Sequence, residues 1–425
     1  MFELIRANKR KSAWLIAILG AVLIGLGYAI GFAVAPDEPV VSSLFVIIAV
    51  VIWLVMLLTS LFGGEKILLR SANAREVQKA DAPQLYNIVE EMCIASGLST
   101  VPKVYLIDSP DPNAFAVGLK PERAAVAVTT GLMAKLNRDE LQNVVAHEIA
   151  HINNRDTLFM TLAGVTVGAI IILGELFWRS MLFGGRGRSR GGGRGGNQGA
   201  AVMMLIAIVM AVLAPILAHM LYFACSRRRE YLADACAAQY TRYPEGLASA
   251  LEKISGQAAQ RKKKAATSQT LAPMYIVNPL AARSRRAGLF STHPATDDRV
   301  RILRGMTSNA SLEAYERAYR EVHGKQSVLP PSALKDAQDQ PVREAAKEGA
   351  ESGTQRQWRD VQDLLHKVDK YAVLACACGM KMKVPPQYDE QNVACPKCGK
   401  DHPLPPEMLA ALAAARMDTN KRSAT

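Results

Sequence analysis

Two stretches of this chain, Ala13 to Val34 and Val40 to Phe62, carry no charged residue over 22 and 23 positions. A helix needs about 20 apolar residues to cross roughly 30 Å of hydrocarbon, so each stretch is long enough to span a bilayer. Only five residues separate them, which predicts an antiparallel transmembrane hairpin over residues 1–63. A cleaved signal peptide is the obvious rival, but its apolar region runs only about 7 to 15 residues before a small-residue cleavage site. Arg6, Lys9, Arg10 and Lys11 precede the first run, so the N-terminus is expected in the cytoplasm, with the chain returning there near Gly63.

Two further apolar segments, 158–178 and 200–225, interrupt the chain after residue 150. Crossing by both would put the arginine-rich loop 179–199 outside, against the positive-inside tendency, and would bury Glu175 and His219 in lipid. Crossing is favoured over a shallow hairpin packed on the protein; either returns the chain to the side it left. The net charge of +13 is spread over several Arg/Lys clusters. Beside apolar spans these favour anionic lipid headgroups, and without interleaved aromatics they do not favour nucleic acid.

Between these segments the pattern is that of a soluble α+β unit. Pro83 opens a helix through Leu85, Ile88, Val89 and Met92, and Gly97 stops it. Val101–Ile107, Asn113–Val117 and Ala125–Thr129 read as strands. Asn137, with Glu140 three residues on, reads as the capped start of another helix. That helix carries His147-Glu148-Ile149-Ala150-His151. Histidines four residues apart share one helix face, so both rings can meet one Zn²⁺, and Glu148 can take a proton from a zinc-held water.

A hydrolytic zinc site needs a third protein ligand and an open position. Glu230 and Asp234, one helical turn apart, are candidates. Glu230 could bind the metal while Asp234 accepts a hydrogen bond from a ligand histidine. Taken alone, the run Arg227-Arg228-Arg229-Glu230 reads more simply as a solvated charged face. Asn113, Ala114, Phe115 and Ala116 form a short strand that could pair with an extended substrate or be an ordinary sheet strand.

His147-Glu148-x-x-His151, Asn154-Arg155-Asp156, Glu230-x-x-x-Asp234, Asn113-Ala114-Phe115-Ala116 and Ser291-Thr292-His293-Pro294 with Arg299 together resemble the HtpX-type membrane zinc endopeptidases over residues 5 to 305. The resemblance implies zinc held by His147, His151 and Glu230, with Glu148 as base. It also implies a cytoplasm-facing site in a bacterial inner membrane and cleavage of misfolded or damaged membrane proteins. His293 and Arg299 are favoured as stabilisers of the oxyanion, although Arg299 could instead pair with a carboxylate. The Gly/Arg-rich loop 184–199 and the extension past residue 325 have no counterpart in the pattern.

The peptidase domain is expected over 64–324, followed by a solvated linker over 325–355. Residues 356–405 are expected to form a helix and a zinc ribbon, and 406–425 a tail that begins as a short Ala-rich helix and then frays. Cys376, Cys378, Cys395 and Cys398 make two knuckles that can close a second, structural Zn²⁺ site, with the Gly after each pair suited to a tight turn. His402 is a weak substitute ligand. Cys93, Cys225 and Cys236 read as buried thiols.

The fold class expected is therefore α+β, mainly helical, in an integral membrane protein that acts on proteins. Two alternatives stand beside a zinc endopeptidase. A relative of the CAAX prenyl proteases would need more spans than this chain offers, and a non-catalytic zinc-binding adaptor would have no need of Glu148.

Overall fold

The computed structural model describes residues 2–34, 38–157, 208, 227–260, 276, 294–324, 326–329, 331–334, 340–345, 361, 363–365 and 370–423. Apart from residue 208, the apolar segments 158–178 and 200–225 lie outside these residues, as do the loop 184–199 and His293.

Helices α1 (Phe2–Val34) and α2 (Pro39–Ser71) pack against each other along a seam of small residues. A Cβ added at Gly27 would come within 2.6 Å of the Ala49 methyl, and one at Gly31 within 2.8 Å of Phe45. Close backbone approach supplies the dispersion contact that must hold helices together where lipid removes the hydrophobic drive. The outer surface is left apolar, with Trp14, Ile47, Val51, Val55 and Phe62 exposed. Within α2, Pro39–Thr59 is long and apolar enough to cross a membrane, at mean hydropathy 3.0. The corresponding stretch of α1, Ile16–Phe32, is shorter than a full span. Among the described residues one helix therefore meets the length expected of both. Gly27→Val is expected to force the helices apart at a cost of about 1–3 kcal/mol; an unchanged melting temperature in detergent would show that the seam does not hold them.

A mixed four-stranded sheet follows, in the order β1-β2-β4-β3. β1 (Arg75–Glu76) runs antiparallel to β2 (Lys103–Ile107), β2 parallel to β4 (Ala125–Thr129), and β4 antiparallel to β3 (Ala114–Val117). Every residue of β3 and β4 is buried, which is why both read as unbroken apolar runs. α3 (Pro83–Ser96) stops at Gly97, whose φ of +68° is the left-handed cap glycine supplies cheaply. α4 (Thr130–Lys135) leads from the sheet to α5 (Arg138–Asn153).

α5 starts at the capping box expected from Asn137 and Glu140, with both reciprocal bonds formed. It is buried on nearly every side. Val144, Val145 and Ile149 join Leu85, Ile88, Val104 and Val128 in the main core. Helices α6 (227–241), α7 (Pro244–Gln260), α8 (Thr296–Gly305) and α9 (Leu312–His323) complete the domain. Glu140 anchors α7 by accepting from Ser249 and Lys253.

The described part of 325–355 is not a solvated linker. Leu329 is buried, and its amide and that of Val328 donate to the buried Glu316 carboxylate at 3.0 and 3.2 Å. Arg343 donates to Asp139 and Gln142 on α5, and its guanidinium lies 4.9 Å from the centre of the Tyr243 ring. Composition alone could not show this, because the partners of Arg343 lie about 100 to 200 residues away. Val361, Leu364 and Leu365 are likewise buried.

The C-terminal module consists of two hairpins, β5 (Ala372–Ala375) with β6 (Lys381–Val384), and β7 (Asn392–Ala394) with β8 (Asp401–Pro403). The chain closes on helix α10 (Pro406–Ser423). Its Leu412 packs with Val384 and Leu404, and Arg416 donates to the carbonyls of Pro386 and Tyr388.

Candidate metal centres

The 3.6-residue period of α5 turns His147 and His151 to the same side, and their Nε2 atoms lie 3.2 Å apart. Helix α6 brings Glu230 to the same point. Its Oε2 is 3.5 Å from His147 Nε2 and its Oε1 3.4 Å from His151 Nε2. Two ligands bonded to zinc at about 2.0–2.1 Å and a tetrahedral angle stand about 3.3 Å apart. The three separations bracket that value, so the donor set fits a single tetrahedral ion. All three residues are at least 96% buried, and Glu148 is buried beside them.

Each histidine has a carboxylate behind it. Asp234 Oδ1 is 3.0 Å from His147 Nδ1, and Asp156 Oδ2 is 3.2 Å from His151 Nδ1. With Nε2 turned to a metal, Nδ1 would carry the proton toward these oxygens, an arrangement that sets the tautomer. Arg299 grips Asp234 with a fork, Nε to Oδ2 at 2.7 Å and Nη2 to Oδ1 at 2.6 Å. Its remaining nitrogen, Nη1, donates to the Ile276 carbonyl and lies 3.7 Å from Glu230 Oε2.

Arg299 is 1% exposed and engaged on every nitrogen, so the carboxylate-pairing alternative describes its surroundings. Its expected oxyanion partner, His293, lies outside the described residues. Burial pushes both imidazoles toward the neutral form, yet the carboxylates outweigh it. His147 is raised by Asp234 and Glu230, and His151 well above its ordinary value by Asp156 and Glu230. Burial works against the Asp234 carboxylate as well, but the Arg299 guanidinium holds it below the usual range.

Asn113, Ala114, Phe115 and Ala116 lie on the sheet's edge strand. The Asn113 amide donates to the Thr129 hydroxyl and its carbonyl accepts from the Thr129 amide, while the Ala114 amide donates to the Asn113 side chain. Alternation turns the Ala114 carbonyl away from β4, where it accepts the Ile276 amide at 3.2 Å. An extended peptide pairing at Ala114 must take the place of that amide.

In the C-terminal module, Cys376 and Cys398 bring their sulfurs to 3.5 Å and Cys378 and Cys395 to 3.7 Å. Zinc–sulfur bonds of about 2.3 Å predict about 3.8 Å between tetrahedral thiolates. Gly379 and Gly399, at φ +83° and +72°, turn each knuckle as the sequence implied. Burial opposes a thiolate at Cys395, but the Cys398 and Lys397 amides outweigh it and bring the pKa down to about 6. His402 Nε2 stands 3.1 Å from Cys376 Sγ, beside the four sulfurs and outside the four-cysteine set.

Sequence reasoning gave no role to Asp156 or Arg229, which the structure brings to the centre. The available signal was an aspartate five residues past a ligand histidine, just beyond the helix end.

A profile of peptidase family M48 matches residues 79–307. The HtpX protease homologue of Dictyoglomus turgidum is 42% identical over 308 residues, covering 72% of this chain and 94% of its own length. That of Listeria innocua is 42% identical over 312 residues, covering 72% and 100%. Among solved structures, Ste24p of S. mikatae matches with 18% identity and a TM-score of 0.38, over 71% of this chain and 67% of its own.

Proposed function

The chain belongs to peptidase family M48 and is a membrane zinc metalloprotease; from that premise we propose that it cleaves misfolded or damaged membrane proteins at a centre built by His147, Glu148, His151 and Glu230. The observation that carries this is the trio of near-equal separations among two imidazoles and one carboxylate, set beside a glutamate that a purely structural ion would not require. Bound zinc supplies a Lewis acid and an acidified water. Glu148 would be the base that takes a proton from that water and returns it to the departing amine. Asp234 holds His147 in the required tautomer, and Arg299 acts through Asp234 as a positioning residue.

The Asn113–Ala116 edge is the proposed substrate track. The apolar outer face of α1 and α2 supports an anchor hairpin in a bacterial inner membrane. Arg6, Lys9, Arg10 and Lys11 favour a catalytic domain on the cytoplasmic side. The four-cysteine module lies beyond the family match, and its closed ligand set suits a structural ion and protein recognition.

Purified full-length chain in detergent should hydrolyse an unfolded membrane protein, lose that activity to a zinc chelator and regain it with added Zn²⁺. Binding without cleavage would favour a non-catalytic adaptor. Metal analysis should return about two zinc per chain, falling to about one in C395S/C398S; one zinc in the unaltered protein would reject the ribbon site.

A further inference from the structure

We propose that Asp156 is the positioning residue of the second zinc histidine, the counterpart of Asp234 for the first, and that Arg229 holds it there. The proposal rests on the zinc assignment above and goes beyond it in giving His151 a partner of its own.

Three observations converge on Asp156. The first is backbone: α5 ends at Asn153, and Arg155 then adopts φ +61°, a left-handed conformation that a non-glycine residue enters at a cost. That reversal folds the chain back on the last turn of α5, so an aspartate only five positions after His151 reaches its ring. The second is burial. Asp156 is 0% exposed, and a carboxylate is retained in such a place only where charged or hydrogen-bonding partners meet it. The third is the arrangement of partners, with Oδ2 3.2 Å from His151 Nδ1 and Oδ1 3.6 Å from Arg229 Nε.

The two halves of the centre then correspond. Arg299 grips Asp234, which faces His147; Arg229 faces Asp156, which faces His151. Arg229 immediately precedes Glu230, so a single carboxylate links the second histidine to the start of the helix that delivers the third ligand. Residues 156 and 229 also flank the two apolar segments, and their ion pair joins the two ends of that insertion beside the metal.

The test is Co²⁺ and Zn²⁺ binding by the full-length protein in detergent. Cobalt at the His/His/Glu centre lacks the thiolate charge-transfer band of the cysteine site, so the two are read separately. Asp156→Ala is expected to weaken the peptidase centre about 10–100-fold, with Asp156→Asn intermediate because it still accepts from Nδ1–H but carries no charge. Arg229→Met should weaken it less than Asp156→Ala. The zinc-induced rise in melting temperature should shrink in all three, whereas a purely structural aspartate would lower the metal-free and loaded melting points together. Affinity within twofold of the unaltered protein in either Asp156 variant, or an undiminished zinc-induced rise, overturns the proposal. If Asp156→Ala fails to fold, Asp156→Asn decides alone. His151→Ala is the separate control: should it leave cobalt binding at this centre intact, the zinc assignment itself is wrong.

Discussion

Glu148→Gln is expected to reduce peptide cleavage by about 10²–10⁴-fold while the zinc content stays that of the unaltered protein. The amide has the shape of the carboxylate and sits at the same buried place on α5, between the two ligand histidines. It cannot accept the water's proton at working pH or return one to the amine. Turnover of an unfolded membrane substrate, with metal analysis on the same preparation, checks both halves. Undiminished turnover would remove Glu148 from the mechanism, and loss of zinc together with activity would recast it as part of the metal-holding frame.

Arg299→Met is expected to cost about 3–5 kcal/mol of stability, the usual penalty for leaving one partner of a buried ion pair alone. Asp234 would keep only His147 against its charge, in a place with no access to solvent. Arg299→Lys keeps the charge but loses the fork, and should fall between. Denaturant or thermal unfolding of the loaded protein measures this. If stability is unchanged while turnover collapses, Arg299 acts on the substrate and the oxyanion role returns. The pair also has a pH signature. Asp234 is held below its ordinary pKa of about 4, so its contribution is complete above that value. It is lost as the pH falls through the depressed one.

What the sequence made legible was local. The capping box, the period of α5, the glycine stop of α3, the three longer strands and the paired cysteine knuckles each depend on residues within one turn or one hairpin, and each appears where its pattern put it. The ligand Glu230 was only partly legible, since an Arg-Arg-Arg-Glu run is equally a wet helix face until tertiary packing buries it. Arg299 was ambiguous for the same reason, because its partner lies 65 residues away. Asp156 had no periodic signature at all, and its reach depends on one left-handed residue. The docking of Arg343 on Asp139 joins positions 204 apart, beyond anything composition can register.

The ring of charged groups around His147 and His151 has an electrostatic consequence of its own. By formal charge, four buried carboxylates, Glu148, Asp156, Glu230 and Asp234, are set against two buried guanidiniums, Arg229 and Arg299. Two negative charges remain, which is the deficit one divalent cation cancels. A proton on each imidazole would restore the same balance, the direction in which the neighbouring carboxylates shift both rings. Metal and protons are thus alternative occupants of one cavity. Losing the ion favours proton uptake, and an acidic medium favours the metal-free cavity.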